Sequence, residues 1–287
     1  MKILKQIVAD IKTSVVEPGA NRDALIRKFV LYSPKMPLRL HQEQLIAEAK
    51  KFNLSVYDEY FTASDIAINC FSWGDGKTKI LLTHGWASKA LDFYELVMEL
   101  RKLEDVEIIA FDAPGNGSSV SELSNLILYK NSVKAIIGKY EVVDFVIGHS
   151  LGAMANILAL QDLASQPKLL MSIAPLIKLK ENFVQSLESI GVNQADQDIF
   201  FSNFELEVKV PADHFNLLNL YHLDPSIKHL VIFDPEDHIS PYPYLQDFLA
   251  QNKEIKAIKF EDIGHFKIIK SPEVISLIVG EIATRIN

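Results

Sequence analysis

The chain has a single cysteine, Cys70, among 287 residues, which excludes an intramolecular disulfide. Its setting, Ile66-Ala67-Ile68-Asn69-Cys70-Phe71, reads as a strand. A buried structural thiol fits that setting better than a catalytic one. Long apolar runs are also missing. None approaches the roughly 20 residues of a membrane-spanning helix. The opening residues do not form a signal peptide, because Lys5, Asp10 and Lys12 interrupt the apolar stretch it needs. A cytoplasmic protein is expected. Positive charge is short as well: 29 Lys and Arg face 37 Asp and Glu, giving a net charge of −8. Nucleic acid and anionic membranes attract clustered basic residues, so neither is expected as a partner. The triplet Glu236-Asp237-His238 has no second cluster at zinc-like spacing, and H-E-x-x-H does not occur. No metal or cofactor is expected. Gly74-Asp75-Gly76-Lys77-Thr78 ends like a phosphate loop. It precedes a strand, however, where a phosphate loop must follow one. There is no internal repeat.

What remains is an ordinary globular composition, 48% hydrophobic and 23% charged. It is long enough for one large α/β domain with an inserted subdomain. Residues 1–53 read as a helical extension packed on the body. Ile3, Leu4, Ile7, Val8 and Ile11 recur at helical spacing there, and a membrane-surface helix is the alternative. Strand-like runs follow at 54–61 and 66–73. Strands at 80–83, 106–111, 142–147, 169–173, 229–233 and 257–260 then alternate with helices at 91–103, 123–139, 153–163 and 273–286. Continuous apolar strands separated by helices indicate a mostly parallel sheet covered on both faces. The core is expected at 54–175 and 223–287. Residues 176–222 break the rhythm and carry Phe183, Phe200, Phe201, Phe204 and Phe215. They read as a helical cap over the C-terminal edge of the sheet, where ligands of open α/β sheets bind.

The strand at 142–147 runs into Gly148-His149-Ser150-Leu151-Gly152. G-x-S-x-G between a strand and a helix is the pattern of a nucleophile elbow. A sharp turn strains the central serine, and side chains two residues away on either side would collide. A serine needs a base, and the base a carboxylate to hold its tautomer. His265, in Ile263-Gly264-His265-Phe266, follows the last strand and is the expected base. His214, His222, His229 and His238 are weaker candidates. Asp237 is the expected acid, with Asp234 and Glu236 as competitors in the same turn. The backbone N–H groups of Leu151 and Trp86, the latter in His84-Gly85-Trp86, would form the oxyanion hole.

These pieces, with Asp112-Ala113-Pro114-Gly115-Asn116-Gly117-Ser118-Ser119 and the Asp237-to-Pro241 turn, occur in one order. Together they resemble the α/β-hydrolase fold, in its serine esterase, lipase and aminopeptidase-like group, over residues 54–287. The resemblance implies a triad of Ser150, Asp237 and His265, a hole of Trp86 and Leu151, and an insertion after the sixth strand. One departure is Asn116, where relatives often carry His. The implied activity is hydrolysis of a small, partly apolar carboxylic ester through an acyl-enzyme on Ser150. A ligand-binding receptor with little turnover, an acyltransferase and a peptidase stay open, as does a homodimer.

Overall fold

The computed structural model describes residues 2–14 and 22–286. The stretch of the expected helical extension at 15–21 lies outside them. Eight strands form one sheet: β1 (Lys50–Asp58), β2 (Ser64–Gly74), β3 (Thr78–Thr83), β4 (Val106–Asp112), β5 (Phe145–His149), β6 (Leu169–Ile173), β7 (Lys228–Phe233) and β8 (Lys256–Lys259). Their order is β1-β2-β4-β3-β5-β6-β7-β8. The hairpin partners β1 and β2 pair antiparallel, as do β2 and β4. Every other pairing is parallel.

Inside the sheet, β4, β5 and β6 are buried along their whole length. Alternate residues serve opposite faces. Leu81, Ile109, Val146 and Val231 meet one helical layer, which contains α5 (Leu126–Tyr140), α6 (Leu151–Leu160) and α10 (Tyr242–Gln251). Ile80, Leu82, Ile108 and Ile147 meet the other, which contains α3 (Leu40–Ala47), α4 (Tyr94–Leu100) and α11 (Pro272–Ala283). Fully burying one such aliphatic side chain stabilises the fold by about 1.5–3 kcal/mol. Cys70 is among them, and burial pushes its thiol up to about 12.

Several boundaries differ from the sequence expectation. The helix expected to reach residue 52 stops at Ala47, and β1 starts at Lys50. Pairing with β2 as far as Lys50↔Ser72 recruits these residues, and Phe52 packs edge-on against Tyr140. The expected strand end at Phe61 is a turn instead. The buried Asp58 carboxylate accepts hydrogen bonds from the amides of Tyr60, Phe61 and Thr62 and bends the chain there. Val142 lies before β5 and is 56% exposed, following Glu141 at φ +60°. The expected helix from 91 begins as a 3-10 turn, Ala90–Phe93, because the Asp112 carboxylate holds the Ala90 amide.

The chain ahead of the sheet holds α1 (Lys2–Thr13), α2 (Arg22–Leu31) and α3, with residues 32–39 in no regular element. Between β6 and β7 lie α7 (Leu179–Ser189), α8 (Gln194–Val208) and the short α9 (Leu217–Leu220). Phe183, Phe200, Phe204 and Phe215 pack against one another, mostly edge-on, with ring centroids 6.0–6.4 Å apart. Phe200, Phe204 and Phe215 join the core cluster that α5 and α6 share with one face of the sheet, and Phe183 packs against it.

Among the described residues no helix is long and apolar enough to cross a membrane.

Candidate active site

Ser150 sits between β5 and α6 with φ +54° and ψ −120°, a conformation strained for any residue with a side chain. The glycines flanking it are forced by space. A Cβ at Gly148 would lie 2.6 Å from the Ala153 Cα, and one at Gly152 would lie 2.4 Å from the His84 carbonyl. Neither distance is tolerable between packed backbones. The close approach lets the chain leave the sheet and enter α6 within one residue, so the Ser150 hydroxyl stands at the C-terminal edge of the sheet.

His265 reaches it from the loop after β8. Its Nε2 is 2.9 Å from Ser150 Oγ, and its Nδ1 is 2.6 Å from Asp237 Oδ2. All three residues are buried, with 8%, 6% and 4% exposure for Ser150, His265 and Asp237. The second oxygen of Asp237 accepts the amides of Ile239 and Ser240, which fixes the carboxylate's plane. The competitors have other employment. Asp234 accepts the amides of Glu236, Ile263 and Gly264 and thereby ties the acid turn to the His265 loop. Burial acts to raise its carboxyl, but those three amides hold it below the usual carboxylate range. Glu236 is exposed. His214, His222 and His238 are exposed too, while His229 is buried against Ser172 and Tyr221.

Of the residues expected to supply oxyanion donors, Leu151 follows Ser150 directly and Trp86 lines both cavities that open on it. Leu151 is the first residue of α6, and its N–H has no partner inside the helix. The Trp86 N–H is aimed by a clamp that the sequence did not reveal. His84 Nε2 accepts the Ala113 amide at 3.0 Å, so the proton of the neutral ring sits on Nδ1. Nδ1 then donates to the Gly85 carbonyl at 2.7 Å, and the Tyr129 hydroxyl donates to the same oxygen at 2.9 Å. Burial lowers the His84 pKa, which keeps the ring neutral and the arrangement intact. In a planar trans peptide the N–H points opposite to the C=O. Two donors on the Gly85 oxygen therefore turn the Trp86 N–H the other way.

His149, the variable residue of the elbow, also has a role. Its Nε2 donates to the His265 carbonyl at 2.9 Å and holds the backbone of that loop. Burial, with His265 beside it, lowers the His149 pKa to about 3, so it too is neutral. Only the elbow's strand-to-helix geometry brings the two loops together, and no sequence spacing signals it.

The loop after β4 is a scaffold rather than chemistry. One Asp112 oxygen accepts the Ser118 amide and hydroxyl, each at 2.7 Å. Asn116 is buried, accepts the Ser33 hydroxyl at 2.5 Å, and donates to the Pro114 carbonyl at 3.0 Å. The residue that departs from the resembled pattern thus connects this loop to the segment after α2.

Two cavities open on Ser150. One, of about 280 Å³, is lined mainly by apolar groups, including Phe29, Trp86, Leu176 and Phe183. The other, of about 90 Å³, lies toward Ser88, Asp92, His149 and Lys270. Among the described residues no group of three or more His, Cys, Asp or Glu is placed to hold a metal ion.

A family model described as "Alpha/beta hydrolase family" matches residues 80–275. The Pyrococcus furiosus esterase Pf2001 superposes with a TM-score of 0.63 at 18% identity, covering 89% of this chain and 97% of its own. A thermophilic esterase from Thermogutta terrifontis gives 0.57 at 14% identity, covering 83% and 99%. The mouse alpha/beta hydrolase domain-containing protein 10 gives 0.58 at 17%, covering 76% and 93%. At these identities the likeness is one of fold. None of the curated proteins matches this chain in sequence.

Proposed function

The chain belongs to the alpha/beta hydrolase family, and from that premise we propose that it is a serine hydrolase cleaving a small, partly apolar carboxylic ester. The observation that carries this reading is the hydrogen-bonded series Asp237–His265–Ser150 at a strained strand-to-helix turn. Asp237 accepts the Nδ1–H of His265, leaving Nε2 free to accept a proton. Ser150 Oγ gives that proton to Nε2 as it attacks the ester carbonyl carbon. The carbonyl oxygen becomes an oxyanion between the amides of Trp86 and Leu151 at the N-terminus of α6. Each donor of this kind contributes roughly 3–4 kcal/mol to the transition state. The imidazolium then protonates the departing alkoxide, and the acyl group remains on Ser150. Water, losing its proton to Nε2, attacks the acyl carbon, and Ser150 recovers its proton when the acid leaves.

The site needs no group beyond these side chains and water for that cycle. The helices between β6 and β7 act in this reading as a cap that limits substrate size. The apolar character of the larger cavity favours an ester over a charged peptide terminus.

The test is turnover of p-nitrophenyl butyrate together with labelling by a fluorophosphonate. Wild-type enzyme should hydrolyse the ester and carry the label on Ser150. Ser150→Ala should lose at least about a thousandfold in kcat and take no label. Unchanged turnover in Ser150→Ala, or a label elsewhere, would end the assignment.

A further inference from the structure

The larger cavity at Ser150 has an unexpected wall. Leu4 of α1 lines it, as do Phe29, Val30 and Leu31 of α2 and then Tyr32 and Pro34. The segment ahead of the sheet therefore does more than pack on the body. It closes part of the space that the nucleophile faces, and Phe183 of α7 lines the same space.

This wall is fastened from two directions. Toward α8, Arg22 Nε pairs with Asp196 at 2.7 Å, and Arg27 makes two contacts with Glu207, at 2.5 and 2.9 Å. Arg22 also donates to the Ile11 carbonyl, joining α1 to α2. Toward the loop after β4, the Ser124 amide donates to the Leu31 carbonyl at 2.8 Å. Ser33 donates to Asn116, and Lys35 donates to the Ser119 carbonyl at 2.7 Å. Ile7, Ile11, Ile26 and Val30 are buried in the same core cluster as α5 and α6. A surface held by these ties has a fixed shape, and a fixed apolar wall measures what lies against it.

The two cavities differ in a way that assigns the arms of the ester. The smaller has about 90 Å³, walled by Trp86, Phe266 and Ile269 as well as Ser88, Asp92 and Lys270, and suits a short arm. The larger has about 280 Å³ and suits a longer hydrocarbon. Resting on the serine hydrolase reading above, we propose that Leu4 and Phe29 set the length of the apolar arm that the enzyme accepts. The substrate class is then an ester with one medium-length hydrocarbon arm and one short arm.

Two series of substrates test this: p-nitrophenyl esters from acetate to decanoate, and acetates of n-alkanols from ethanol to decanol. The readout is the ratio of kcat/KM for the long member to that for the short member. A ratio taken on one preparation does not depend on the fraction of enzyme that is folded. Leu4→Trp and Phe29→Trp should each lower the ratio about tenfold in one of the two series, the equivalent of excluding one or two buried methylenes. Leu4→Ala should move the preferred length upward in that series. Ile3→Ala, on the exposed side of α1, should leave the ratio as in wild type. Ratios unchanged in both series for both tryptophan variants would overturn the proposal. That result would leave the serine hydrolase reading standing, because Ser150→Ala tests it separately.

Discussion

Three of the buried polar side chains around Ser150 hold backbone rather than substrate, and their effects differ from those of the reacting groups. Tyr129 is the simplest to isolate. Its hydroxyl shares the Gly85 carbonyl with His84 Nδ1, so Tyr129→Phe leaves that oxygen one donor. The peptide should then rock, and the Trp86 N–H should spend less time facing the oxyanion. The expected result is a fall in kcat of about tenfold with KM within about twofold, since the donor acts on the transition state. Steady-state kinetics on one short ester check it. An effect confined to KM would mean that the clamp does not aim the donor. The sequence carried part of this site openly. Gly148 and Gly152 can be read from the pattern because their need is local: each occupies space where backbone already stands. Asp237 is harder, for Asp234, Glu236 and Asp237 crowd one turn. The choice depends on which oxygen faces His265 after the turn closes, and Asp234 is turned instead to the amides of Ile263 and Gly264. Tyr129 and His149 had no readable signal at all, since their partners are carbonyl oxygens on other segments.

At the scale of elements, the parallel strands were plain in the sequence because burial on both faces makes them continuously apolar. The edge was not. Phe52, Leu54 and Val56 of β1 alternate with exposed Asn53, Ser55 and Tyr57, but where the strand starts is set by its pairing with β2. The route of residues 32–39 was equally hidden. That stretch depends on single hydrogen bonds, with Ser33 to Asn116 the most buried of them. Asn116→Ala would leave the Ser33 hydroxyl without its acceptor. We expect a loss of about 1–3 kcal/mol in stability. Amide exchange over residues 22–35 should accelerate, while exchange in β5 and β6 should track only the global change. Mass-resolved hydrogen exchange distinguishes the two. Equal acceleration everywhere would show that the tie has no local role.

For the whole molecule, loss of stability in acid follows from imidazoles folded away uncharged. Burial lowers His229 from 6.5 to about 3, and His149 likewise. Between those values the unfolded chain binds protons that the folded chain does not. Stability is therefore complete above about pH 6.5 and is lost as pH falls toward 3, by up to about 1.4 kcal/mol per pH unit for each ring. His229→Gln removes one such ring away from Ser150. Its stability should depend on pH between about 4 and 6 with a slope smaller by close to one proton. Denaturant titrations across that range measure it, and an unchanged slope would contradict the assignment.

The ties between the first helices and α8 have a further consequence, in time. Arg22 and Asp196 are 174 residues apart, and Arg27 and Glu207 are 180 apart. At a synthesis rate of about 5–20 residues per second, the first pair waits roughly 10–35 seconds for its partner to be made. Leu4 and Phe29 thus emerge from the ribosome well before the α8 residues that fasten their helices on that side. During that interval the side of the wall that faces α8 is uncovered, and a nascent chain in that state presents apolar surface to chaperones.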